Sequence, residues 1–403
     1  MRIAVTGIGI VTSLGFGTEA NWTALAAGTS GIRHIARFDT TGMRATIAGC
    51  VDFPEDADRT FTTAARVERL GELAIAEALA QAGLQAPFGG LLAIGMPPVE
   101  IEWPQRLAFG VTTYPELLEK ARTAMPLYEE FLFGGASTRL AERFGTTGVP
   151  QVVTTACASG GSAIQLAIEA IRRGETSKAI AAGSDASLQP ETLIRFGLLQ
   201  ALSTRNDVPE AASRPFSLTR DGFVMGDGAG ALILEDEDHA RARGATILGY
   251  VLGVGEAADT FHRTRSSPDG AAIVRCMQRA LDDAGLAPAD IGYINAHGTS
   301  TPENDRMEAQ AVRMLFGETP PPISSTKSMI GHTLSAAGAI EAAICLLALR
   351  HQVLPPTINQ DDVDPELGLD TVPVSRPHPF RAALSNSFGF GGQNVSVILG
   401  AAD

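Results

Sequence analysis

Closely spaced cysteines, long apolar runs and an excess of positive charge are all missing from this chain of 403 residues. Cys50, Cys157, Cys276 and Cys345 are scattered and form no C-x-x-C pair. That spacing argues against a disulfide framework and against a metal site, so no metal is expected. A reduced, cytoplasmic protein is the simplest reading. No apolar run approaches the roughly 20 residues that span a bilayer. The longest candidate, "AIEAAICLLALR", is short and carries Glu341, so no membrane insertion is expected. The first residues, "MRIAVTGIGIVTSLG", have the charge and apolar stretch of a secretion signal. However, Gly7, Gly9 and Gly15 punctuate them and no A-x-A site follows, so they read as a first core strand. Asp and Glu (45) outnumber Lys and Arg (31), and the net charge of −14 disfavours nucleic acid as a partner.

What is present is the composition of a compact globular protein: 45% hydrophobic residues, 19% charged residues and 43 glycines. Strand and helix patterns alternate. Strands are expected at Ile3–Val11, Ala179–Ala182, Ala231–Leu234, Ile247–Val254, Ile291–Ala296, Ile323–Ser325, Ala382–Leu384 and Val395–Leu399. Helices are expected at Asn21–Ala27, Ala64–Ala82, Ala163–Arg172, Ala271–Ala284, Glu308–Leu315 and Ser335–Arg350. This order implies an α/β layered fold with helices covering buried sheets. Similar halves meeting near residue 245 hint at a duplicated unit.

One stretch, "VVTTACASGG", sets the chemical question. Cys157 follows a β-branched run and precedes very small residues, which places it at a strand-to-helix turn. A helix start stabilises a thiolate and is expected to lower the cysteine pKa. A buried packing cysteine is the alternative. The histidines weigh against it. His34, His239, His262, His351 and His378 lie in charged, polar or Pro-rich surroundings and read as surface residues. His297, in "YINAHGTSTPENDRMEA", and His332, in "SSTKSMIGHTLSAAG", occupy strand-to-helix turns like that of Cys157. Such turns display functional groups in α/β folds, and a cysteine with two histidines fits covalent catalysis. "SNSFGFGGQN" adds a Phe/Gly loop whose N–H groups can approach a ligand closely. "GIGIVTSLG" lacks the G-x-G-x-x-G spacing of a dinucleotide site, and "DGFVMGDGAG" lacks calcium-loop spacing.

Together, "TTACASGG", "NAHGTSTPENDRMEA", "SSTKSMIGHTLSAAGAIE" and "NSFGFGGQN" resemble the β-ketoacyl-[acyl-carrier-protein] synthases of the KAS I/II type, nearly end to end. The resemblance implies a thiolase-like fold, a duplicated α-β-α-β-α five-layer sandwich, with an N-terminal half at 1–244 and a C-terminal half at 245–403. It implies a homodimer and an acyl carrier protein as partner, with no cofactor beyond the phosphopantetheine arm of that carrier. It implies that Cys157 accepts the acyl group and that His297 and His332 drive malonyl decarboxylation. Lys327 matches the family lysine near the site, and Glu308 matches the acidic residue expected to pair with it. Thr299 and Thr301 match hydroxyls that contact the arm. Phe390 matches the gating residue, whose N–H would form the oxyanion hole with that of Cys157; Phe388 and Gly391 are carried with it as substrate-binding positions. Arg66, Arg69 and Arg205 are the docking candidates by similarity.

Some positions depart from the family pattern. "AIGMPPVEIEWPQRLAFG" replaces a glycine-rich turn near the acyl pocket, which points to a specialised acyl preference. Thr333, Ser335, Gln393 and Gln200 also differ from common family residues. A non-catalytic partner resembling a chain-length factor is disfavoured because Cys157, His297 and His332 are all retained. A thiolase acting on coenzyme A thioesters is disfavoured because the C-terminal region has "SFGFGG" in place of a second catalytic cysteine. A Cys-His-Asn synthase is disfavoured by His332, which stands where that class has asparagine.

Overall fold

The computed structural model describes residues 2–54, 61–123 and 125–403. Its main sheet is built from ten principal strands: β1 (Ile3–Thr12), β2 (Leu91–Gly95), β3 (Gln151–Val153), β4 (Lys178–Asp185), β5 (Gly228–Asp236), β6 (Gly249–Ala258), β7 (Tyr293–Asn295), β8 (Ile323–Ser324), β9 (Ala382–Phe388) and β10 (Gln393–Ala401). Across the sheet they run β3-β2-β4-β5-β1-β6-β10-β9-β7-β8. Each half has the same internal order, third-second-fourth-fifth-first. The pairings also repeat: β2 is parallel to β3 and β4, as β7 is to β8 and β9, and the remaining pairs in each half are antiparallel. The halves join where Ile3–Val5 pairs with Gly249–Val251.

Helices form three layers around these strands. α1 (Thr63–Gln81) and α2 (Gly135–Phe144) cover the outside of the first half. α5 (Ala271–Ala284) and α6 (Pro302–Phe316) cover the outside of the second. Between the halves lie α3 (Ser159–Arg172) and α7 (Ala337–His351), in contact with each other and with strands of both halves. The result is the duplicated five-layer α-β-α-β-α sandwich. β1 is buried along its whole length, so its apolar run does not alternate.

Glycine sets two close approaches. A Cβ at Gly7 or Gly9 would stand 2.0 or 1.9 Å from the Ala78 or Ala74 carbonyl oxygen of α1. The "GIGI" spacing therefore serves helix-on-strand packing. At the centre, a Cβ on Gly160 would lie 2.5 Å from the Ala339 nitrogen, and one on Gly338 would lie 2.5 Å from the Gly161 nitrogen. The starts of α3 and α7 thus meet backbone to backbone. α7 is buried almost throughout, and although Leu334–His351 is long and apolar enough to cross a membrane, 89% of that stretch is buried inside the protein.

The expected elements form with shifts of a few residues at their ends, and Ala271–Ala284 forms with the expected bounds. The sequence pattern does not mark β2, the short helices Met125–Glu130 and Lys327–Ile330, or the helices Trp103–Phe109, Tyr114–Ala121, Gly135–Phe144 and α4 (Pro190–Leu198). In Trp103–Phe109, Tyr114–Ala121 and α4 a proline sits in the first turn, Pro104, Pro115 or Pro190, where its missing N–H costs nothing. The 96–104 stretch reads from sequence as a stiff loop for the same reason.

Candidate active site

The nucleophile candidate stands on a strained turn. β3 ends at Val153, Ala156–Ala158 forms one 3-10 turn, and α3 begins at Ser159. Ala156 has φ 49°, a left-handed conformation that costs a non-glycine residue of order 1 kcal/mol or more. The Ser159 hydroxyl holds the turn by donating to the Ala156 carbonyl (2.6 Å) and accepting from the Thr155 N–H (2.9 Å). His297 follows β7, and His332 follows β8 across the short helix Lys327–Ile330. Parallel neighbouring strands end at one edge, so these segments converge.

The three side chains meet. His332 Nε2 lies 3.0 Å from Cys157 Sγ, and the ligand-type atoms of Cys157, His297 and His332 lie within 4.8 Å of one another. The imidazole rings sit edge to face with centroids 5.3 Å apart. Phe388 packs edge-on against His297 and Phe223 against His332, fixing both rings. All three residues are buried at the base of a cavity of about 690 Å³. Thr299, Thr301, Phe388 and Phe390 also line it, and the Thr299 and Thr301 hydroxyls lie 2.9 Å apart.

Burial dominates the electrostatics. It pushes the Cys157 thiol up to about 12, against the lowering influence of the Lys327 cation and the Phe390 N–H. The lowered value expected for a helix start is therefore not found, because desolvation of the thiolate outweighs the helix end and the nearby cation. Burial, aided by the Lys327 cation, holds both histidines well below their ordinary range, and His332 lowers His297 further. Both imidazoles are neutral at pH 7.

Lys327 and Glu308 are buried behind the cavity, but they do not pair. Lys327 Nζ bonds Glu341, a residue of α7. Glu308 accepts the N–H groups of His297 (2.9 Å) and Gly298 (2.8 Å) and the Asn386 amide (3.1 Å). Glu308 thus fixes the backbone that carries His297, and burial raises its pKa to about 7. Gly391 is likewise not a lining residue. It has φ 96°, and its N–H donates to the Arg263 carbonyl at 2.7 Å, tying the Phe/Gly loop to the 259–267 segment.

The docking arginines separate. Arg66 is buried, with its guanidinium over the Phe53 and Phe61 rings and bonded to the Val51 carbonyl, so it is no docking group. Arg69 is ion-paired with Glu72, and Arg205 donates to the Thr219 carbonyl. Three positions escaped the sequence reading. Glu341 looked like a flaw in an apolar helix and is the lysine's partner. Asp185, at the end of β4, accepts the N–H groups of Ser187 (2.8 Å) and Ser335 (2.9 Å) and so joins the halves beside the site. Asp305 accepts the Phe216 N–H (2.9 Å). Their partners are up to 150 residues away, and no local spacing announces them.

Comparisons with known proteins agree with this geometry. The family model described as "Beta-ketoacyl synthase, N-terminal domain" matches residues 1–240, and "Beta-ketoacyl synthase, C-terminal domain" matches residues 248–361. The chain is 40% identical to the 3-oxoacyl-[acyl-carrier-protein] synthase 2 of Rhizobium meliloti, covering 99% of this chain and 98% of the relative. It is 39% identical to a putative polyketide beta-ketoacyl synthase 1 of Streptomyces cyaneus, covering 99% and 97%. Among solved structures, a beta-ketoacyl synthase from Burkholderia phymatum is 33% identical with a TM-score of 0.86, covering 100% of both chains. A type II polyketide ketosynthase solved with its acyl-carrier protein is 32% identical with a TM-score of 0.87, covering 100% of this chain and 99% of that one.

Proposed function

Because the chain belongs to the β-ketoacyl synthase family of condensing enzymes, which are acyltransferases, we propose that Cys157 carries the acyl group and that His297 and His332 activate malonyl thioester. The observation that carries this reading is the placement of both neutral imidazoles against Cys157 in one cavity.

In the first half-reaction Cys157 Sγ attacks the acyl thioester carbonyl. His332 Nε2, at 3.0 Å, takes the thiol proton and returns it to the departing pantetheine sulfur, so no net proton is consumed. A thiol held up to about 12 needs such a base at the moment of attack. The backbone N–H groups of Cys157 and Phe390 stabilise the tetrahedral oxyanion. In the second half-reaction the malonyl C–C bond breaks to release carbon dioxide, and the electron pair becomes an enolate. Imidazole N–H groups from His297 and His332 donate to its oxygen, His332 acting in this half-reaction as the tautomer that carries its proton on Nε2. The enolate carbon then attacks the Cys157 thioester, the C–S bond breaks, and the thiolate recovers a proton. The chain leaves two carbons longer.

The substrates ride on the phosphopantetheine arm of an acyl carrier protein, between Thr299, Thr301 and Phe390, and the solved complex of a similar ketosynthase with its carrier supports this. No metal or other cofactor takes part, because a metal on Cys157 and the histidines would occupy the nucleophile and both donors that the chemistry needs. The units are residues 1–244 and 245–403, in line with the repeated strand order. The enzyme works in the cytoplasm as a homodimer, and the exposed apolar side chains of Trp103, Leu107, Tyr114, Leu132 and Phe133 favour a covered surface there. A chain-length-factor role has no observation in its favour while Cys157 is present.

The test is a pair of variants at one position. Cys157→Ala should abolish condensation of malonyl-carrier with acyl-carrier, a loss of at least about 10³-fold. Cys157→Gln should abolish acyl uptake yet still release carbon dioxide from malonyl-carrier. Condensation surviving in the alanine variant would overturn the assignment.

A further inference from the structure

The cavity has one wall that the condensation steps leave unused. Its lining residues from 185 to 195 come from the end of β4 and the start of α4, and all of them are polar: Asp185, Ser187, Gln189, Thr192 and Arg195. Side chains alternate after β4. Ala186 and Leu188 enter apolar clusters, whereas Asp185, Ser187 and Gln189 line the cavity. Four residues of chain place Gln189 up to about 14 Å along this row from Asp185. Most of the row is committed. The Asp185 carboxylate accepts the N–H groups of Ser187 (2.8 Å) and Ser335 (2.9 Å) and both of their hydroxyls, and Arg195 is bidentate on Glu100. Gln189 is not. It is the N-cap of α4, yet its side chain makes no capping bond, and its amide oxygen is buried without a hydrogen-bond partner. Among the described residues, the other cavity-lining residues with such an atom are His297 and His332, the two imidazoles that meet the substrate.

A buried polar atom without a partner is costly, and on a cavity wall the group that can satisfy it is the ligand. Whichever way it is turned, a glutamine amide offers an acceptor at one end and two donors at the other. A saturated alkyl chain satisfies neither end. A hydroxyl pairs with both, and a keto oxygen pairs with the donors. We propose that Gln189 is a specificity-determining residue that selects acyl chains carrying hydroxyl or keto oxygens over saturated chains of equal length. The inference rests on the condensation reading above and names the substrate class of the same cavity. In that reading Thr299, Thr301 and Phe390 flank the pantetheine arm, and the acyl chain on Cys157 runs along the 185–195 wall. A site built to bond a substrate oxygen rejects the analogue lacking it, because binding that analogue leaves the polar group of the site unpaired.

The test follows acylation of Cys157 by intact-protein mass spectrometry in the full-length protein and in its Gln189→Leu and Gln189→Met forms, both of which remove the amide. The acyl donors are octanoyl-pantetheine and octanoyl-pantetheines that carry one hydroxyl or keto group at successive carbons. The quantity compared is the ratio of oxygenated to saturated acylation rates on the same protein, so a general loss of activity cancels. In the unchanged protein the best oxygenated chain should acylate about 10–100-fold faster than octanoyl. Either variant should bring the two rates together, by slowing the oxygenated chain and accepting the saturated one. Equal uptake of both chains by the unchanged protein would sink the proposal, and so would a preference that survives in both variants. Acylation without preference overturns the proposal alone. If no thioester acylates Cys157 of the unchanged protein, the condensation reading falls and the proposal falls with it.

Discussion

Two turns of one shape lead into the two central helices, yet only one carries a nucleophile. Ala156–Ala158 opens α3 and Leu334–Ala336 opens α7, with left-handed first residues at φ 49° and 45°. The middle residue is Cys157 in one and Ser335 in the other, and both line the cavity. The Ser335 N–H is committed to Asp185, which ties the second turn to β4. The second turn instead contributes His332, placed before the bend and aimed at Cys157. A duplicated backbone thus supplies the same elbow twice. Which copy reacts is decided by one side chain and by what faces it.

The comparison breaks most sharply at the histidine. His332→Ala should cut malonyl decarboxylation by about 10²–10³-fold, the cost of one lost oxyanion donor, with little change in the thermal midpoint. If rate and midpoint fall together, the residue is structural. The contact between the two helices is next. Gly160→Ala and Gly338→Ala each drive a Cβ onto backbone and should destabilise by about 1–3 kcal/mol or more in urea unfolding. A markedly smaller loss at either position would mean that the halves can slide apart.

Asp185 sharpens the contrast through pH. Burial raises its carboxyl from the ordinary 3.8 to about 6, so the native state binds this proton more tightly than the unfolded chain. Its contribution is then fully present below about pH 4 and declines as pH rises through about 6. Asp185→Asn should therefore cost most near pH 4, and its deficit should shrink by on the order of 2–3 kcal/mol by pH 7. A pH-independent deficit would contradict the raised value. Smallest is Ser335→Ala, which keeps the N–H to Asp185 but removes a buried hydroxyl that also bonds that carboxylate, and it should cost about 0.5–1.5 kcal/mol of stability with little change in turnover. A loss comparable with that of Cys157→Ala would show that the second elbow is also chemical.

Much of this was legible in the residues. Helix and strand periods marked most of the strands and helices of both halves, because half-buried elements repeat their apolar residues at fixed spacing. Cys157, His297 and His332 stood out because each follows a β-branched or apolar strand and precedes small residues. Helices beginning at proline did not stand out, since proline is read as a breaker unless its position in the first turn is known. Arg66 shows the opposite failure: a charged residue on an amphipathic helix reads as surface, whereas aromatic rings cover it here.

The sequence by itself determined the alternating elements, the cysteine at a helix start and the two histidine turns, all of which follow from local spacing. Only the tertiary structure decided that Lys327 pairs with Glu341, that Glu308 holds the His297 backbone and that Cys157 sits high in pKa. Partner choice depends on which distant segments the repeated sheets bring together. Desolvation depends on how completely they close over the site, and neither quantity is written in the neighbours of a residue along the chain.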